Sequence, residues 1–130
     1  VLAGYGEVLA RVGKANEAIE LLEKALSLDP VPQGQINSDN RYTDLTLAYF
    51  YAGEFEKCIE TGKKVEHINF QSWLLVNFSK KKLDSFDGED MYLKQGLEEF
   101  KEDSWDPKVD RLHLPDEKTQ SELLSFLNNL

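Results

Sequence analysis

The sequence predicts an all-α fold built of antiparallel helix pairs that stack side by side. Two segments match each other 40 residues apart: Gly13-Lys14-Ala15-Asn16-Glu17-Ala18-Ile19-Glu20 and Gly53-Glu54-Phe55-Glu56-Lys57-Cys58-Ile59-Glu60. Apolar residues around them recur at spacings of three and four, as on one helix face. Turn formers separate these stretches.

The match extends outward. Leu9 pairs with Tyr49, Lys24 with Lys64, Ala25 with Val65 and Leu28 with Ile68. In each unit a first amphipathic helix ends at a glycine, Gly13 or Gly53, which takes positive φ at little cost. A second helix follows, with Ala15, Ala18, Leu22, Ala25 and Leu26 on one face. Small residues there let two helices approach closely: Ala18 and Ala25 in the first unit, Cys58 and Gly62 in the second. Cys58 reads accordingly as a small buried apolar group. Asp29-Pro30 stops the first unit, because proline lacks an N–H and restricts its predecessor.

These residues resemble the tetratricopeptide repeat family. Leu2, Tyr5, Gly6, Leu9, Ala18, Leu22, Ala25 and Pro30 follow its pattern in the first unit. Tyr42, Leu45, Thr46, Tyr49, Cys58, Gly62, Val65 and Phe70 follow it in the second, more loosely after Cys58. The family repeats every 34 residues. The surplus falls in a turn-rich loop at 31–39, with Ser38 or Asp39 expected to cap the next helix. The resemblance implies a short right-handed superhelix, with residues 1–30 and 40–70 as two clear repeats.

Residues 71–103 read as a degenerate third repeat, with a helix over 71–85, a turn at Phe86-Asp87-Gly88 and a second helix packing through Leu93, Leu97 and Phe100. Residues 104–115, with Trp105, Pro107 and Pro115, are expected to be an irregular connection. A last helix is expected over 116–130, carrying a stripe of Leu123, Leu124, Leu127 and Leu130 with Phe126 beside it. Its two readings are a cap on the last repeat and a dimerisation face, so the expected state is a monomer or a weak homodimer.

The chain has 130 residues and opens Val1-Leu2-Ala3-Gly4-Tyr5, which reads as mid-helix, so a piece of a longer protein is expected. No run approaches the roughly 20 apolar residues of a membrane span. The net charge of −9, from 24 acidic and 15 basic residues, argues against nucleic acid as a partner. A single cysteine makes a reducing compartment, cytoplasmic by default, the expectation.

No catalytic constellation stands out. His67 and His113 have no companions at ligand spacing. Asp84-Ser85-Phe86-Asp87-Gly88-Glu89-Asp90 has its glycine at the wrong offset for a calcium loop, and the terminal Glu is missing. Lys80-Lys81-Lys82 suits a helix C-terminus, or else an acidic partner. No enzyme activity, cofactor or metal is expected.

The resemblance further implies a groove lined by the first helix of each pair, holding a protein or peptide segment. Its places fall on Ala3, Glu7, Ala10 and Arg11, then Asn40, Thr43, Asp44, Leu47 and Phe50, then Asn77 and Lys81. The family subtype that clamps a terminal carboxylate would meet Ala3, Glu7 and Asp44 here, and two carboxylates repel such a ligand. Charge favours a Lys- or Arg-containing segment instead. The role expected is a non-catalytic scaffold or adaptor. Alternatives are an accessory domain of a larger enzyme, such as a glycosyltransferase or a signalling enzyme, and self-assembly through the last helix.

Overall fold

The computed structural model describes residues 9, 14–28, 36–112, 114 and 116–130 (of 36–39, the backbone alone). Among them the secondary structure is all helical. The helices are α1 (Ala15–Leu28), α2 (Ile36–Tyr51), α3 (Phe55–Gly62), α4 (Phe70–Lys82), α5 (Met91–Phe100), α6 (Asp106–Asp110) and α7 (Glu117–Asn128). Each of α1 to α5 packs on its neighbours in sequence, and α2 also touches α4 directly. The helix α7 packs on α6 and on α4.

The internal repeat has a counterpart in the backbone. Glu54 N–H donates to the Tyr49 carbonyl at 3.0 Å, closing the end of α2, while Gly53 sits at φ +77°. Forty residues earlier Lys14 N–H donates to the Leu9 carbonyl at 2.9 Å. Both bonds have the six-to-one spacing, which at Gly53 ends the helix through a left-handed residue. A third copy, Ser85 N–H to the Lys80 carbonyl at 2.8 Å, ends α4. There the left-handed residue is Asp84 at φ 55°, so the chain reverses at Asp84 and not at Gly88, from which the third unit was counted. Aspartate tolerates this conformation better than most side chains.

Several boundaries differ from expectation. The helix α2 begins at Ile36, which puts Ser38 and Asp39 inside it and ends the expected 31–39 loop before Ile36. Capping preference is a weak prior, and here packing outweighs it: Leu45, Leu47, Ala48, Tyr49 and Phe50 are all buried in the same helix. The helix α3 has only 8 residues and stops at Gly62, so Val65 and Ile68 lie beyond it, although Val65 is still buried. Glycine is a poor helix former, but a side chain has no room there: a Cβ on Gly62 would meet Val76 Cγ2 at 2.3 Å. The connection at 104–115 contains α6, with Trp105 and Val109 buried. Asp29, Pro30 and residues 31–35 lie outside the described residues, as do His113 and Pro115.

The helix α4 is the hub. Every residue from Gln71 to Lys80 is buried, so it lacks the one-sided apolar stripe of a surface helix. Some of its polar groups meet partners inside the fold, while Gln71 Nε2 and Asn77 Oδ1 are buried without a hydrogen bond among the described residues. Asn69 caps the helix by accepting from Ser72 N–H at 2.9 Å, and Ser79 Oγ donates to Cys58 Sγ at 3.2 Å. Two aromatic groups sit at its ends. Phe70, Trp73, Phe100 and Trp105 cluster at the start, with Phe70 and Trp105 stacked 5.9 Å apart. Phe50, Phe78, Phe86 and Phe126 cluster at the end. Aromatic pairs at such separations add about 0.5–1.5 kcal/mol each beyond burial.

Candidate functional site

The face expected to bind a partner is carried by α2 and α4. Asn40 is exposed at the start of the α2 row, and Thr43 and Asp44 are half-buried. Thr43 Oγ1 accepts from Asn69 Nδ2 at 3.0 Å and from Ser72 Oγ at 3.3 Å, which ties the start of α4 to α2. Further along, the expectation fails. Leu47 and Phe50 are buried, and so is Asn77 on α4. Asn77 Nδ2 donates to the Trp73 carbonyl at 2.8 Å within its own helix. Lys81 is exposed. Glu7 and Arg11 lie outside the described residues.

The chain itself accounts for the burial at Phe50. Phe50 packs against Phe78 of α4 with ring centroids 5.8 Å apart. Phe78 in turn meets Phe126 of α7 edge-on at 5.5 Å, and Phe126 meets Phe86 at 5.4 Å. The row Phe50–Phe78–Phe126 therefore runs from α2 through α4 to α7. Leu123, Phe126 and Leu127 are buried, worth about 1.5–3 kcal/mol apiece. Leu130, expected in the same stripe, remains 42% exposed. Phe126, read from the sequence as lying beside the leucine stripe, makes the aromatic contact with α4.

The lysine run at the end of α4 divides into three roles. Lys80 is buried and pairs with Asp90 at 3.3 Å. Asp90 also caps α5, accepting from Leu93 N–H at 3.0 Å. Burial alone would raise the Asp90 pKa, but this cap bond and Lys80 hold it below its ordinary value. The Tyr92 ring lies 5.8 Å from Lys80 Nζ and 5.9 Å from Lys63 Nζ. Burial and the Lys80 charge lower the Lys63 pKa. Lys81 Nζ lies 5.6 Å from the centre of the Phe126 ring. Lys82 pairs with Glu122 of α7 at 3.7 Å and lies 5.3 Å from the Phe78 ring. Both partners of the Lys82 pair are substantially exposed, so it contributes about 0.2–1 kcal/mol.

The seam between α4 and α7 is not filled. A cleft of about 390 Å³ opens there, lined by Phe78, Lys81, Lys82, Glu122 and Ser125. The Tyr51 hydroxyl at the end of α2 is buried beside Thr119 of α7 and has no well-formed hydrogen bond among the described residues. Burial pushes its pKa up to about 12. An unsatisfied buried hydroxyl costs about 1–3 kcal/mol.

The remaining reactive groups serve the core. Burial raises the Cys58 thiol to about 12, so it carries no thiolate near neutrality. Tyr49 donates to Glu23 Oε1, joining α2 to α1, and burial together with Glu23 raises its pKa. Among the described residues no group of three or more His, Cys, Asp or Glu is placed to hold a metal ion, and no helix is long and apolar enough to cross a membrane. Trp105 is one of the core residues that sequence reasoning missed, with Phe78, Val109 and Leu112; a tryptophan just ahead of Asp106-Pro107, a helix-start signal, was the available clue. Comparison with protein-family models, with curated proteins and with solved structures returned no match.

Proposed function

We propose that the chain is a non-catalytic interaction module of tetratricopeptide type, its helix pairs stacked as a short right-handed superhelix, which binds a protein or peptide segment along the α2/α4 face. One observation carries this reading. The first helices of successive units, α2 and α4, touch directly, while α3 packs against both of them. This contact pattern supports reading α2 and α4 as first helices of successive units, the arrangement the resemblance implies. The same role serves a free-standing adaptor or an accessory domain of a larger enzyme.

The charge preference divides along this face. Asp44 and Asn40 at the α2 end support a basic segment. Lys81 and Lys82 at the α4 end favour acidic groups. Isothermal titration with one basic and one acidic peptide checks the assignment. Saturable binding of either supports a binding face, with a stronger basic ligand upholding the preference read from the sequence. Equal weak heats from both would remove it. Self-assembly through the last helix is less favoured, because Leu123, Phe126 and Leu127 are spent within their own chain.

A further inference from the structure

We propose that α7 is a built-in occupant of a docking seat on the α2/α4 face, and that this seat fits a partner's amphipathic helix bearing an acidic residue four positions before an aromatic one. The proposal rests on the reading of that face as the binding face, and it names the ligand class and the element that competes for the seat.

The seat has an anchor. Phe126 enters between Phe78 and Phe86, at 5.5 and 5.4 Å, and Phe78 is backed by Phe50 at 5.8 Å. A single aromatic ring in an apolar socket is the usual centre of a helix-in-groove contact. The seat also has a charge code. Lys82 meets Glu122 at 3.7 Å, one helical turn before Phe126, and Lys81 lies 5.6 Å from the Phe126 ring centre. Glu122 and Phe126 are four residues apart and share one face of α7. Both lysines select for an acidic helix and against a basic one.

Two independent defects show that α7 fills the seat incompletely. The cleft of about 390 Å³ along Phe78, Lys81 and Lys82 is open beside it. The Tyr51 hydroxyl is buried at the α2/α7 contact without a well-formed bond among the described residues. A longer side chain in place of Ser125 and an acceptor near Thr119 fit those two gaps. Helix α7 packs on α4 and on the five-residue α6, and its release exposes Leu123, Phe126 and Leu127, so opening is the transition of one local unit at a definite cost.

The probe is a fluorescent peptide with the sequence of residues 116–130, titrated into the full chain and followed by anisotropy. The Phe126→Asp full chain, its own occupant weakened, binds the peptide at least tenfold more tightly than the parent chain. Adding Lys82→Glu to that variant weakens binding several-fold, and a peptide carrying Glu122→Lys restores it. Equal affinity of parent and Phe126→Asp chains overturns the proposal, as does indifference to the charge exchange. If Phe126→Asp abolishes the cooperative unfolding transition, hydrogen exchange of the parent chain decides. Amides of Leu123–Asn128 exchanging at least tenfold faster than those of Leu74–Phe78 support a releasable α7; a common rate refutes it. A parent dimer in sedimentation that Phe126→Asp dissolves would give the seat to a second copy and overturn the partner class. Peptide binding that Phe126→Asp leaves unchanged refutes the occupant while the binding module stands.

Discussion

Trp73 lies flat against the backbone of α5 at Gly96. Its indole N–H points at the carbonyls of Tyr92 and Leu93, at 3.2 and 3.3 Å. A Cβ on Gly96 would fall 1.8 Å from the indole nitrogen. Gly96→Ala therefore displaces the largest fully buried side chain. Overpacking of this kind costs about 1–3 kcal/mol, partly offset by the better helix propensity of alanine. Urea unfolding read by tryptophan fluorescence should show the loss. Gly88→Ala is the control, since nothing lies within 4 Å of its added Cβ and its φ is not positive; a loss there as large as at Gly96 would defeat the packing argument.

The Lys80–Asp90 pair makes stability sensitive to acid. The folded pKa of Asp90 lies below its ordinary value. Its contribution is therefore fully present above the ordinary carboxylate range near 4, and it is lost as pH falls through the lower folded value. Asp90→Asn keeps a capping side chain but leaves Lys80 with 11% side-chain exposure and no carboxylate, at a cost of about 1–3 kcal/mol at neutral pH. The difference in stability between parent and variant should shrink below pH 4. A constant difference from pH 7 to pH 2 would rule the pair out as its source.

Cys58 should be inert in the native state. Its thiol is fully buried, receives a bond from Ser79 and lies 3.8 Å from the Leu75 carbonyl. Reaction with a disulfide reagent at pH 8 should proceed at the rate at which the chain opens, and should accelerate with sub-denaturing urea. Immediate stoichiometric labelling of the folded chain would contradict the burial.

Two tyrosines separated by one residue should respond in opposite ways. Tyr49→Phe removes the bond to Glu23 and should cost about 1 kcal/mol. Tyr51→Phe removes a hydroxyl that is buried without a well-formed bond, and should be neutral or stabilise by up to about 1 kcal/mol. Thermal unfolding of the two variants side by side tests the contrast. A destabilised Tyr51→Phe chain would mean that its hydroxyl holds α7 in place.

The parts of the fold that were legible are those written in local pattern. The aligned glycines and the small residues Ala18, Cys58 and Gly62 mark helix ends and close contacts, and Gly53, Ala18, Cys58 and Gly62 take those roles. The all-helical class followed from the same periodicity. The helix α4 was readable as a helix but not as the hub, because burial on every side erases the amphipathic signal. Gly96 was missed because counting began at Gly88, while the chain reverses at Asp84. Of the expected groove residues, Asn40 and Lys81 are exposed, whereas the burial of Leu47, Phe50 and Asn77 was not legible. What buries Phe50 runs through Phe78 to Phe126, 76 positions further along the chain, and no periodicity within α2 encodes it.

The enclosure of α4 also sets a timetable for synthesis. At about 5–20 residues per second, several seconds pass between the emergence of Phe78 and that of Phe126. Throughout that interval the ribosome-bound chain carries an aromatic socket with its own plug not yet made. Trp73 likewise waits for Gly96 and Trp105. The nascent chain thus spends its most adhesive moments with its middle complete and its margin missing, the stage at which a chaperone has most to shield.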